Sequence, residues 1–321
     1  MEKDHMAQAI PTEGQPPSPV QYNPVPKMLI PTEEGGMFYA PSGTLTGGIS
    51  VSSDGKLFFG NGNGIAIYEP DGIIRTNSAH SRKGESVDGP FNASTFSDAG
   101  LMAIDSSDNL FVEDNGLIRK VTADLIVSTI IDLREQSGFD PKTLVDVRGL
   151  ATDSLQNVFY AAVVFVYDDR TDKYITADRS IRKIAPDGAV ELIEDLPLLS
   201  GFQHLGGLGA IRLDAEQNLY IVEGRTIFKR WANGRFSVFA TLGEGSRPND
   251  MVIDSDGTLY VSDTGHRSIR RITPDAKVST LMEMDTPKAM AMLGPHRIAI
   301  IAKGGIYEVD TLIPQAQPEI H

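Results

Sequence analysis

The residues of this sequence that can do chemistry are few and widely separated along the chain. Arg148 and Lys288 are cations suited to a carboxylate, phosphate or enolate, Arg offering a planar fork of donors and Lys a point charge. Asn249 offers amide hydrogen bonds, and Glu223 and Asp250 are the carboxylates that we select as candidate acid and base catalysts. We expect these residues to form one site for a polar or anionic small molecule.

Histidines supply a further set of candidates. His80, His204 and His266 lie in separate loop segments, and three imidazoles are typical ligands of a zinc site with an open position. Their spacing matches no metal motif, so we include His204 and His266 as ligand-binding residues and predict no metal and no other cofactor. The sequence also contains no Gly-rich phosphate loop, nucleophile elbow or HExxH helix.

A repeated element must bring these residues together. The phrase DGTLYVSDTGHRSIRRI (256–272) resembles SDNLFVEDNGLIRKV (107–121), and six such copies are found between residues 47 and 310. Each copy contains a short apolar stretch, a tight turn such as SDG or EQN, and β-rich stretches such as NLYIV and SIRRI. The pattern predicts an all-β fold, a six-bladed β-propeller with four-stranded antiparallel blades.

The two ends of the repeat region predict how the ring closes. The last copy has no room for a fourth strand, whereas the strand-like stretch VPKMLIP (25–31) precedes the first copy. We therefore predict that this N-terminal strand becomes the outer strand of the last blade. The chain then divides into a flexible N-terminal arm (1–24), the propeller (25–312) and a C-terminal tail (313–321).

The alignment of the copies predicts which residues meet at the axis. The first residue of each innermost strand should surround the axial mouth, on the face that carries the longer loops, including a predicted hairpin at 163–179. Counting back from each turn, this first ring is Gly47, Gly100, Arg148, Gly209, Asn249 and Lys288. A second ring, at the ends of the second strands, is Asn61, Asp114, Ala162, Glu223, Asp263 and Ala302.

Several candidates also have a structural interpretation. Arg148 can pair with Asp146 instead of with a ligand. Asp114, which we include among the ligand-binding residues, and Asp263 stand where an acidic side chain commonly accepts backbone N–H bonds. Glu223 is longer than the aspartate usual at this position, which is why we select it as the acid or base.

The phrases at 88–121 and 247–281 resemble NHL repeats, whose pattern ends in an acidic residue followed by an isoleucine-arginine-lysine strand. The resemblance covers about residues 47–310 and implies a six-bladed propeller. The segment RPND (247–250) is also distantly similar to gluconolactonases and senescence-marker-protein-like propellers, a resemblance that implies a divalent metal at the first ring. Of those ligands only Asn249 has a clear match, and Arg148 and Lys288 would repel a dication.

Composition limits the partners. The chain has 43 acidic and 29 basic residues, and a net charge of −14 disfavours nucleic acid. It contains no cysteine, no long apolar segment and no signal-like start, so we expect no membrane association and a cytoplasmic location.

Three functions follow from these observations. The first is a small-molecule-binding propeller, in its catalytic form a metal-independent lyase or cyclase. The second is a scaffold that binds a protein partner on the loop-rich face. The third is a metal-dependent lactonase or hydrolase of the gluconolactonase type.

Overall fold

A computed structural model of the chain contains six small antiparallel sheets arranged around one axis, which confirms the predicted six-bladed propeller. The structure describes residues 24–31, 47–61, 64–77, 85–135, 143–196 and 207–312. The predicted arm, apart from Pro24, and the predicted tail lie outside these residues. No helix long and apolar enough to cross a membrane occurs in the described segments.

The first strand in the chain closes the ring. Strand β1 (Lys27–Pro31) pairs antiparallel with β25 (Gly305–Asp310), the third strand of blade 6. A Cβ atom on Gly305 would lie 2.2 Å from the Ile30 carbonyl oxygen, so only glycine allows the two strands to approach this closely. The predicted closure by an N-terminal strand is therefore confirmed.

Blades 1 to 3 follow in chain order, and their strands run outwards from the axis. Blade 1 contains β2 (Ile49–Val51), β3 (Leu57–Asn61), β4 (Gly64–Tyr68) and β5 (Ile74–Thr76). Blade 2 contains β7 (Ala99–Ile104), β8 (Leu110–Asp114), β9 (Leu117–Val121) and β10 (Ile126–Asp132), with the two-residue β6 (Gly89–Pro90) at its outer edge. Blade 3 contains β11 (Thr143–Thr152), β12 (Val158–Asp168), β13 (Lys173–Ile184) and β14 (Val190–Asp195).

Blades 4 to 6 complete the circle. Blade 4 contains β15 (Leu208–Leu213), β16 (Leu219–Glu223), β17 (Thr226–Arg230) and β18 (Phe236–Thr241). Blade 5 contains β19 (Pro248–Ile253), β20 (Leu259–Asp263), β21 (Ser268–Ile272) and β22 (Val278–Glu283). Blade 6 contains β23 (Met290–Gly294), β24 (Arg297–Ala302), β25 and β1.

The tight turns after the innermost strands are built from one side-chain pattern. In blade 2 the Asp105 carboxylate accepts hydrogen bonds from the Asn109 backbone N–H, at 2.9 Å, and from the Asn109 side-chain amide, at 2.8 Å. Asp153 with Asn157 and Asp214 with Asn218 repeat these bonds in blades 3 and 4. The pairs explain why the phrases DSSDN, DSLQN and DAEQN recur.

Apolar side chains fill the space between neighbouring blades. Six buried clusters are present, one at each interface, because the second strands carry apolar residues on both faces. Blade 3 departs from the others in length: β12 and β13 continue as a hairpin in which Tyr167 pairs with Tyr174 and Val166 with Ile175. This pairing agrees with the predicted hairpin at 163–179.

Candidate axial site

The innermost strands of all six blades contact one another in a closed ring, and a cavity of about 520 Å³ lies at one end of this ring. Every residue of the predicted first ring lines the cavity: Gly47, Gly100, Arg148, Gly209, Asn249 and Lys288. The alignment of the repeats therefore identifies six residues that the structure brings together.

The glycines of the cavity wall are required by backbone packing. A Cβ atom on Gly48 would lie 2.6 Å from the Met102 nitrogen, and one on Gly149 would lie 2.9 Å from the Gly209 carbonyl oxygen. Neighbouring innermost strands thus approach each other closely enough to exclude any side chain at these points. The polar side chains of the cavity must consequently come from the few positions that are not glycine.

The floor of the cavity is an ion pair. Arg212 Nη2 donates to Asp250 Oδ1 at 2.6 Å, while its Nη1 donates to the carbonyl oxygens of Leu150 at 3.2 Å and Ile211 at 2.8 Å. Asp250 Oδ2 accepts the Met290 N–H at 2.8 Å. Arg212 also lines a second cavity of about 260 Å³ on the far side, so it stands at a constriction of the axial channel.

Asp250, one of the two predicted catalytic carboxylates, lines the cavity but is engaged on both oxygens. Burial raises its pKa, and the Arg212 guanidinium and two backbone N–H groups act in the opposite direction. These contacts link blades 4, 5 and 6. The predicted catalytic role of Asp250 stays a prediction, and the geometry favours a role in fixing the floor.

Glu113 is a carboxylate of the cavity that the sequence reasoning missed. Its Oε2 would lie 2.6 Å from a Cβ atom on Gly100, and its Oε1 accepts the Gly116 N–H at 2.8 Å. Burial, together with the nearby carboxylates of Asp114, Asp98 and Asp146, raises the pKa of Glu113 to about 7, and the hydrogen bond from the Gly116 N–H acts in the opposite direction. Glu113 is therefore a group of this cavity that can exchange a proton near neutral pH.

A signal for Glu113 was present in the repeats. It precedes the acidic residue that ends the second strand of its blade. The other five copies have small or apolar residues at that position: Gly60, Ala161, Val222, Ser262 and Ile301. A charged residue at a position that is otherwise small or apolar indicates a local polar function.

The two predicted cations both line the cavity. Arg148 forms an ion pair with Asp146, the structural alternative considered for it, and about a third of its side chain stays exposed. The Lys288 carbonyl oxygen accepts the Ser262 hydroxyl at 2.6 Å, which fixes its backbone at the mouth. Glu113, Asp146, Arg148 and Lys288 thus give the cavity groups of both charges.

The other predicted catalytic carboxylate, Glu223, lies outside the cavity lining. It forms a buried ion pair with Arg179, the residue at which the blade 3 hairpin joins the sheet. Its neighbours Val222 and Gly224 do line the cavity. Its catalytic role stays a prediction, while the contact itself anchors the hairpin to blade 4.

No protein-family model matches the chain, so the resemblance to NHL repeats remains a prediction. Teneurin-3 of Danio rerio is 22% identical in an alignment 345 positions long, which covers 84% of this chain and 13% of that protein. Virginiamycin B lyase from Staphylococcus aureus is 15% identical with a TM-score of 0.61, covering 91% of this chain and 100% of its own. A gluconolactonase from Xanthomonas campestris is 14% identical with a TM-score of 0.60, covering 90% and 97%.

The two structural neighbours share the propeller fold. At these identities the likeness concerns the fold alone, and the arrangement of side chains decides the chemistry.

The metal site implied by the gluconolactonase resemblance can be compared with this propeller. Among the described residues, no three His, Asp or Glu side chains lie close enough together to hold a metal ion. The first ring contributes one amide, Asn249, beside the cations Arg148 and Lys288. These residues do not fit a dication, because a metal site of this kind needs several oxygen ligands of negative charge.

The remaining candidates serve the loops in the described part of the chain. The fully buried Asp114 accepts the N–H groups of Ser97 and Asp98, each at 2.8 Å, and does not line the cavity. His266 Nδ1 lies 2.9 Å from Asp263 Oδ2 and 3.2 Å from Ser246 Oγ. Because both contacts use the same nitrogen, the three residues do not form a proton relay from Ser to Asp. His80 and His204 lie outside the described residues.

Proposed function

We propose that the axial cavity binds a small polar or anionic molecule and that Glu113 exchanges a proton with it, in a metal-independent lyase- or cyclase-type reaction. The observation that carries the proposal is a glutamate with a pKa of about 7 in the same cavity as Arg148 and Lys288. General acid or base catalysis is most effective when the pKa of the group lies near the working pH.

The charges of Arg148, Lys288 and Glu113 determine which role each residue has in this proposal. Arg148 and Lys288 hold an anionic group of the ligand and stabilise negative charge that develops beside a carbonyl or carboxylate. The ionised Glu113 removes a proton from carbon, the electron pair of that C–H bond forms a double bond, and a leaving group departs with its own pair. In the opposite direction, a nucleophilic atom of the same molecule bonds to one carbon of the double bond and protonated Glu113 returns its proton to the other carbon, which is the corresponding cyclisation.

The known proteins with this fold support the proposal in general terms only. The two structural neighbours are a lyase and a gluconolactonase, at 15% and 14% identity. They support the view that this scaffold can carry small-molecule chemistry.

Replacing either cation by alanine is expected to weaken anion binding about tenfold, the usual size of one charge-assisted contact. Calorimetric titration with gluconate and citrate as probes measures the change in Arg148→Ala and Lys288→Ala. Lys277→Ala, at an exposed turn of blade 5 that does not line the cavity, is the matched control and should leave the affinity unchanged. Unaltered affinity in both cavity variants would overturn the proposed anion site.

A protein partner on the same end of the propeller is the second candidate. The blade 3 hairpin and its neighbouring strand expose apolar side chains, with Leu144, Tyr174 and Ile175 each about half exposed. Exposed apolar side chains that lie together are typical of surfaces that bind another protein. If they bind a partner, Ile175→Glu should abolish that complex and leave gluconate binding in the axial cavity unchanged.

A further inference from the structure

A second large cavity lies between blades 2 and 3, and we call it the lateral cavity. It has a volume of about 540 Å³, and its walls include Val145, Tyr160, Val164, Val166 and Arg182. It shares no lining residue with the axial cavity. A volume of this size suits a small organic molecule.

The lateral cavity arises from a mismatch in strand length. Strand β12 has 11 residues, whereas β8, the corresponding strand of blade 2, has 5. One face of β12, from Phe159 to Phe165, packs against blade 4 over its whole length. In the described part of the chain, the other face packs against blade 2 at Val158, Tyr160 and Ala162.

Beyond Ala162, that second face of β12 has no matching strand among the described residues of blade 2. Side chains alternate along a strand, so Val164 and Val166 point to the same side as Tyr160, and Val145 joins them because it pairs with Val164. None of these three valines belongs to the buried part of an interblade cluster. The extension of blade 3 thus forms an apolar wall over the end of blade 2.

A small polar group is set into this wall. Arg182 lies 3.4 Å from Asp178, and the Ser180 hydroxyl donates to Asp178 at 2.8 Å. Tyr160 is 4% exposed and lines the cavity, and burial raises its pKa, with the Arg182 charge acting against this.

The hydroxyl of Tyr160 has no hydrogen-bond partner among the described residues, in contrast to the hydroxyl of Tyr220, which lies 2.6 Å from Lys229. Because Tyr160 lines the lateral cavity, this hydroxyl is accessible to a ligand there. An acceptor oxygen placed between Tyr160 and Arg182 would satisfy it.

We propose that the lateral cavity is a second binding site, which takes a small, mainly apolar molecule bearing one carboxylate or carbonyl oxygen. The apolar body lies against Val145, Val164 and Val166, and the oxygen accepts hydrogen bonds from Tyr160 and Arg182. The site does not depend on the function proposed for the axial cavity.

Octanoate has the required chemistry, and displacement of the fluorescent probe 8-anilinonaphthalene-1-sulfonate measures its binding to the full chain. We expect one molecule of octanoate to bind, and octylammonium to compete at least tenfold more weakly because it has no oxygen that could accept hydrogen bonds from Tyr160 and Arg182. Tyr160→Phe should weaken octanoate binding about fivefold, the usual effect of one hydrogen bond.

Two variants test the position of the site. Val164→Phe fills the cavity and Ala177→Trp blocks its exposed edge, so each should weaken octanoate binding at least tenfold; Ala177 is exposed, which guards against a folding defect. Thr176→Phe is the matched control, because Thr176 pairs with Phe165 on the opposite face of the hairpin. The proposal would be overturned if Val164→Phe, Ala177→Trp and Thr176→Phe all bound octanoate with the same affinity, or if octylammonium competed as well as octanoate. Loss of octanoate binding in Arg148→Ala would also overturn it.

Discussion

The Glu113→Gln variant is expected to be more stable than the natural protein by about 3 kcal/mol at pH 8 and by less than about 1 kcal/mol at pH 5. Glutamine resembles the protonated form of Glu113, and its side-chain oxygen can still accept the Gly116 N–H. The variant therefore keeps the local hydrogen bond and removes only the cost of a charge in a cavity that already holds other carboxylates.

The direction of the pH dependence follows from the two pKa values. The pKa of Glu113 is about 7 in the folded protein, against 4.5 for an ordinary glutamate. Between these values the folded protein binds more protons than the unfolded chain, so the stability contribution is complete below about pH 4.5 and is lost as the pH rises through about 7. Carboxylates with lowered pKa values, such as Asp88 and Asp263, have the opposite effect: they stabilise the folded protein as the pH rises, and they do so at lower pH.

Denaturant unfolding at several pH values between 4.5 and 8 measures this effect. Glu216→Gln, at an exposed turn of blade 4, is the matched control and should follow the natural protein at every pH. Parallel stability curves for Glu113→Gln and the natural protein would contradict the raised pKa.

The same variant separates binding from proton transfer. If Glu113 is the acid or base, Glu113→Gln should bind gluconate with nearly unchanged affinity and lower any turnover by about 10²- to 10⁴-fold, the usual contribution of such a group. Full activity in this variant would assign the proton transfer to another residue, with Asp250 and Glu223 as the next to replace.

The propeller fold could be predicted because its determinants are local and repeated. Turn phrases such as DSSDN fix one hairpin each, and six copies of the whole repeat fix the number of blades. The first ring could be predicted for the same reason, since residues at equivalent places in six blades must meet at the axis. All six residues of that ring line one cavity.

The chemistry of the site was harder to predict, because it depends on contacts between blades. The raised pKa of Glu113 comes from its burial and from carboxylates in two blades, Asp98 and Asp146 among them. Arg179, which binds Glu223 from the neighbouring blade, lies 44 residues away in sequence and belongs to an insertion with no counterpart in the repeats. The copies align positions within a blade but do not give distances between blades.

The role of Asp114 can be resolved through its buried partner, Arg119. The Arg119 guanidinium is fully buried, donates to Asp114 at 2.9 Å and to the Thr95 carbonyl oxygen at 2.6 Å, and lies 4.5 Å from the Phe96 ring centre. Arg119→Met is expected to lower the free energy of unfolding by about 3 to 5 kcal/mol, because it leaves the Asp114 carboxylate buried and unpaired. Arg134→Met removes an exposed pair with Asp132 and should cost less than about 1 kcal/mol.

A double-mutant cycle then separates scaffold from ligand binding. Adding Asp114→Asn to Arg119→Met removes the unpaired charge, so the double variant should be more stable than Arg119→Met alone, which denaturant unfolding measures. Because Asp114 lies outside the axial cavity, the folded double variant should bind gluconate with the affinity of the natural protein. A loss of gluconate binding in the single Asp114→Asn variant, with its stability intact, would instead place Asp114 among the ligand-binding residues as the sequence predicts.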